Sequence, residues 1–136
     1  MNILIIDGQG GRIGSQLIEA LRERIKDAEI TAVGTNSIAT ANMLKAGDVQ
    51  AATGENAAIV GSRKADVIAG PVGIVMADSL LGEITAAMAT AVSQSDAFKV
   101  LLPVNRCGHY LVGVGEKPLS ALISEAAEKI MEILED

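Results

Sequence analysis

Apolar and polar positions change period repeatedly along the chain. Apolar residues run unbroken from behind Asn2 to Ile6, the mark of a strand buried on both faces. Ile13, Leu17, Ile18, Leu21 and Ile25 then recur at spacings of three and four, predicting a helix. Glu29 to Val33 reads as a second strand. Thr35, Asn36 or Ser37 caps a short Ala/Met/Leu helix that Gly47 ends, and a weak third strand falls near Asp48 to Ala52. Thr53 caps another short helix, and Asp66 to Ala69 is a fourth strand. An Ala-rich helix is predicted from about Ser79 to Gln94, with Asp78 as its cap and Glu83 in its first turns. Lys99 to Val104 is a fifth strand and Tyr110 to Val114 a short sixth. Pro118 opens a last helix with Leu119, Leu122, Ile123, Ala126, Ile130 and Ile133 on one face.

Strands alternating with helices imply right-handed crossovers and a mostly parallel sheet. The expected fold is therefore α/β, a three-layer, Rossmann-like arrangement with helices on both faces. At 136 residues the chain fits one such domain, 1–136. Phe98 and Tyr110 are the only aromatic residues, so the core must be aliphatic. In such sheets ligands bind beyond the carboxyl ends of the strands, at the point where strand order reverses.

The first strand-to-helix passage is the most informative segment. Gly8, Gly11 and Gly14 sit three apart, with Gly10 between them. Glycine permits a tight turn, close approach of backbone to a phosphate, and close helix packing. N–H groups and helix dipole at Gly11, Arg12 and Ile13 favour an anion, and the Arg12 guanidinium can grip a phosphate in two places. The plain alternative is a tight turn with no ligand. Asp7 has two readings: it holds Mg²⁺ beside phosphates, or it caps the turn by accepting backbone N–H bonds.

Residues 7–21, DGQGGRIGSQLIEAL, resemble the cofactor loop of dihydrodipicolinate reductases and of extended short-chain dehydrogenases. That resemblance implies NAD(P) as cofactor, with Arg12 near its adenosine end. The reductases' catalytic His and Lys motif has no counterpart here. Over its full length, in DGQGGRIG, VGTNSIATANMLKAG, ATGENA, GPVGIVMADSLLGEIT and LPVNRC, the chain resembles a family of short bacterial proteins of unknown function. A dinucleotide site wants an acidic residue at the end of the second strand; here Thr35 and Asn36 stand there, polar but uncharged.

Other strand ends supply further candidates. Gly70 and Pro71 follow the fourth strand, where they bring backbone onto a ribose or ring or simply make a turn. Asn105 and Arg106 follow the fifth strand beside Cys107 and His109, the only Cys and His. Arg106 is a candidate anion ligand and a neighbour that activates a thiol; inert packing is the plainer reading of Cys107. No metal site is expected, since a Cys-x-His pair is two ligands short.

Net charge and composition narrow the partners. A charge of −6 opposes nucleic-acid binding. A mean hydropathy of +0.36 points to apolar surface buried against further copies, hence a homo-oligomer. The single cysteine suits a reducing compartment, Asp7 interrupts any signal-peptide pattern, and the expected location is the cytoplasm. Three functions fit. The first is binding of a nucleotide or dinucleotide, NAD(P)-like, at the Gly8–Gly14 turn, with any catalysis in a cleft between subunits. The others are an oligomeric sensor of a small anion and a small Mg²⁺-dependent enzyme acting on a phosphorylated substrate. No catalytic residue is assigned.

Overall fold

The computed structural model describes residues 1–104 and 106–136. The strands β1 (Asn2–Asp7), β2 (Glu29–Gly34), β3 (Gln50–Thr53), β4 (Val67–Pro71) and β5 (Phe98–Leu102) form one sheet. Their order is β3-β2-β1-β4-β5, and every neighbouring pair is parallel. Between and after them lie α1 (Arg12–Arg24), α2 (Ser37–Ala46), α3 (Glu55–Lys64), α4 (Ala86–Gln94) and α5 (Leu119–Glu135). This is a three-layer α/β sandwich of Rossmann-like topology.

Side-chain alternation divides the core between two faces. Ile3, Ile5, Ile30, Ala32, Val67 and Ala69 pack against Leu17, Ile18 and Leu21 of α1, Met43 of α2 and Ile123 and Ile130 of α5. Leu4, Ile6, Val33 and Ile68 pack on the opposite side against Ala58 of α3 and Met88 and Val92 of α4. That is why β1 is apolar at every position from Ile3 to Ile6: it is central and covered twice. Among the described residues, no helix is long and apolar enough to cross a membrane.

Successive strands β1, β2 and β3 step one way across the sheet, and β4 and β5 step the other. The order therefore reverses between β1 and β4. The glycine turn after β1 and the end of β4 flank that point; Gly70 and Pro71, expected just after the fourth strand, are its last two residues, because their backbone still pairs with Leu101 and Leu102 of β5.

Two expected elements are corrected. The Ala-rich helix begins at Ala86 rather than near Ser79, and Thr85 caps it by accepting the Met88 N–H at 3.1 Å. Residues 76–84 are an irregular loop in which Asp78, Leu80, Leu81 and Gly82 take φ of 67°, 55°, 57° and 88°, incompatible with a right-handed helix. Asp78 accordingly donates its N–H to the Ile84 carbonyl and caps nothing. The sixth strand is also absent. Gly108, Gly113 and Gly115 at φ of 81°, 85° and 67° keep the segment around Tyr110 to Val114 in turns.

Candidate functional site

Asp7 ends β1 and turns its carboxylate inward, where it is buried. Oδ1 accepts the Gly8 N–H at 2.8 Å and Oδ2 accepts the Gly14 N–H at 2.7 Å. Helix α1 has no side-chain cap of its own at Gly11. The Asp7 carboxylate therefore meets the unpaired N–H groups of its first turn from seven residues upstream. Burial pushes the Asp7 carboxyl above its ordinary pKa; N–H groups of Gly14, Gly8 and Ile13 oppose this, and the Glu83 charge adds to the rise. The capping reading of Asp7 is the geometry found. Both oxygens are engaged, which leaves Asp7 poorly suited to Mg²⁺. Among the described residues, no group of three or more His, Cys, Asp or Glu is placed to hold a metal ion.

Three of the turn's glycines have packing reasons. A Cβ on Gly8 would lie 2.6 Å from Thr35 Oγ1 and 2.8 Å from Glu83 Oε1. Gly11, at φ 71°, would place one 2.7 Å from the Ala39 carbonyl of α2. One on Gly14 would strike Met43 and stand 3.1 Å from the Asp7 Cβ, so this glycine sets the closeness of α1 to β1. Gly10 differs. A Cβ there would meet nothing within 4 Å, and its φ lies outside the left-handed region. It is exposed beside Arg12, whose guanidinium makes no hydrogen bond or ion pair among the described residues. Ile13, next along, is buried under the turn.

The loop after β4 closes over this turn. Glu83 Oε1 accepts the Gln9 N–H at 2.8 Å, the Thr35 hydroxyl, and the Asn36 amide at 2.9 Å. Asn36 also donates to the Gln9 carbonyl at 2.9 Å while its Oδ1 accepts the Ala39 N–H at 2.9 Å, capping α2. Burial alone would raise the Glu83 carboxyl, but the bonds from Thr35, Gln9 and Asn36 outweigh it and hold it below the ordinary range. Leu80 and Ile84 are buried and anchor the loop on either side. Leu81, between them, is 94% exposed.

Residues 7–14, Thr35 and Asn36 thus come together. Gly70 lies against the Ile6 backbone, where a Cβ would collide with its carbonyl, and Pro71 closes β4 beside it. Arg106 does not join them: its Nε donates to the Pro103 carbonyl at 2.9 Å and its terminal nitrogen to Gly115 at 3.5 Å, bracing its own loop. His109 Nδ1 stays local too, 2.9 Å from the Arg106 carbonyl. Asn105 lies outside the described residues.

Glu83 is the site residue that sequence reasoning placed wrongly. Leu80, Leu81 and Ile84 mimic helical spacing and hid the loop. Gly82, in the middle of the expected helix, was the available signal.

A parallel sheet reversing order between β1 and β4, with a glycine turn at that point, defines a Rossmann-like α/β protein. The chain belongs to the family described as Domain of unknown function (DUF3842), which matches residues 2–135. No curated protein matches it in sequence. Among solved structures it is similar to a dodecameric FMN-dependent Ubix-like decarboxylase from Escherichia coli O157:H7. Identity is 14% and the TM-score 0.49, over 100% of this chain and 95% of that one.

Proposed function

We propose that this protein binds a nucleotide across the carboxyl end of the sheet, with phosphate on the outer lip of the glycine turn at Gly10 and Arg12. The carrying observation is Gly10, a glycine for which neither backbone conformation nor packing gives a reason, exposed beside an arginine with no hydrogen-bond or ion-pair partner among the described residues. A small backbone lip next to a planar cation suits a phosphate oxygen approaching from solvent. The inner N–H groups, of Gly8 and Gly14, are taken by Asp7. The phosphate is accordingly placed outside the position a dinucleotide pyrophosphate takes in a GxGxxG turn.

Glu83 supports a ribose in the same ligand. An acidic residue at the end of the second strand ordinarily accepts the ribose hydroxyls. Here Thr35 and Asn36 hold a carboxylate delivered from another loop. Its second oxygen makes no hydrogen bond among the described residues, which leaves it to accept from a sugar hydroxyl.

The test is thermal denaturation with NAD(H), NADP(H), adenine and guanine nucleotides and inorganic phosphate, each with and without Mg²⁺. A ligand at a hundred times its Kd adds about 2.7 kcal/mol, a shift of several degrees in a domain of this size. Wild type should shift with at least one nucleotide. Gly10→Val and Arg12→Ala should keep the unliganded midpoint and lose the shift. No shift with any nucleotide overturns the function, and an undiminished shift in both variants overturns its location.

A further inference from the structure

The two aromatic side chains of this chain both lie outside its core, one on edge strand β5 and one in the segment that follows it. Phe98, the first residue of edge strand β5, is 53% exposed, and Tyr110, in the segment that follows β5, is 82% exposed. Val112 beside it is 89% exposed. Aromatic residues left out of an aliphatic core are characteristic of protein–protein contacts, where they supply most of the binding energy.

The edge carries a single guard, Lys99. Among the described residues β5 pairs only with β4, and it reads FKVLL, with Lys99 its single charge and no proline. Natural edge strands that stay free are blunted by charge, proline or a bulge. Between β5 and α5 the described residues of 103–118 form neither strand nor helix, a long irregular stretch for a compact fold. Leu101, Pro103, Leu111, Val114 and Leu122 line a groove of about 340 Å³ beneath it.

Charge identifies the occupant. Residues 98–118 carry Lys99, Arg106 and Lys117 against Glu116 alone, in a chain of net charge −6. The outer face of α5 and its end carry Glu125, Glu128, Glu132, Glu135 and Asp136 against Lys129. Within one chain the two halves already touch at their borders, through Lys117–Glu125 at 3.2 Å and Lys129 5.9 Å above the Phe98 ring. A basic, aromatic segment beside an acidic helix is self-complementary under a two-fold axis, which sets each segment on the other copy's helix. We infer that β5, residues 106–118 and α5 form the face on which a second copy of this chain docks, with Tyr110 and Val112 as its anchors.

Light scattering coupled to size exclusion, on the full chain, tests this. Wild type should have a mass that is a multiple of 14.0 kDa. Tyr110→Glu with Val112→Glu should weaken self-association roughly 100-fold, as expected for two anchor residues. The far-UV circular dichroism should be unchanged, because both side chains lie outside the core. Ile38→Glu, 66% exposed on α2 at the far edge, should leave the assembly intact. A monomeric wild type at tens of micromolar overturns the inference. So does assembly that survives the double variant, or that is lost in Ile38→Glu instead.

Discussion

The carboxylate of Glu83 accepts the backbone N–H of Gln9 at 2.8 Å, joining the loop after β4 to the turn after β1. Beneath it a second carboxylate, Asp7, accepts the next N–H along, from Gly8. Two acidic side chains thus organise a turn whose glycine pattern suggests an anion from outside.

These carboxylates shift in opposite directions, and acid should separate them. Glu83 titrates below its ordinary value in the folded state, so its contribution is present above about pH 4.3 and is lost as pH falls through the folded pKa. The stability difference between wild type and Glu83→Gln should shrink on acidification. Asp7 is raised, so the folded state binds its proton more tightly and its contribution grows as pH falls toward about 3.9. The difference between wild type and Asp7→Asn should therefore widen. At pH 7, Asp7→Asn should cost about 1–3 kcal/mol, because the amide NH₂ faces the N–H of Gly8 or Gly14 and leaves buried donors unpaired. Urea midpoints between pH 3.5 and 7 (roughly the span of these carboxyl titrations) measure all of this.

Neighbouring glycines should respond very differently. Gly11→Ala puts a side chain at φ 71° and against the Ala39 backbone, which cannot yield as a flexible side chain would. The left-handed conformation alone costs roughly 1–2 kcal/mol, and the collision adds to it. Gly10→Ala meets open space and should change stability by less than about 0.5 kcal/mol. Equal losses at the two positions, read from chemical denaturation, would contradict the packing described for the turn.

Leu81 offers a stabilising substitution. It sits at φ 57° with almost all of its side chain in solvent, so it carries left-handed strain and returns little packing. Leu81→Gly should raise stability by up to about 1 kcal/mol, while Leu80→Ala, at a buried neighbour, should lower it by about 2–5 kcal/mol. Calorimetric midpoints of the two variants should move in opposite directions.

Thr85 ties two helices at once. Its hydroxyl oxygen accepts the Met88 N–H and its O–H donates to Glu55 Oε1 at 2.7 Å. Thr85→Ala should cost about 1 kcal/mol, and Thr85→Ser should restore most of it.

The architecture was legible because β1 and α1 announce themselves. An unbroken apolar strand and a three-four stripe need no tertiary information, and the parallel sheet follows from alternation with the later helices. The glycine turn was legible as a turn; that Gly11 and Gly14 serve contacts with Ala39 and Met43 was not, since those partners lie on another helix. Glu83 escaped for a related reason. Its role depends on a run of left-handed residues at 80–82, and Leu80 and Leu81 have no local preference for that conformation. Tertiary burial of Leu80 and Ile84 imposes it, which no spacing rule registers.

Because Asp7 is covalently part of the turn it organises, helix α1 begins with its positive end already neutralised. Its concentration at that end does not depend on what the surroundings supply. The turn is therefore expected to keep one shape whether or not a visitor is present, so an arriving molecule spends none of its affinity on ordering the loop.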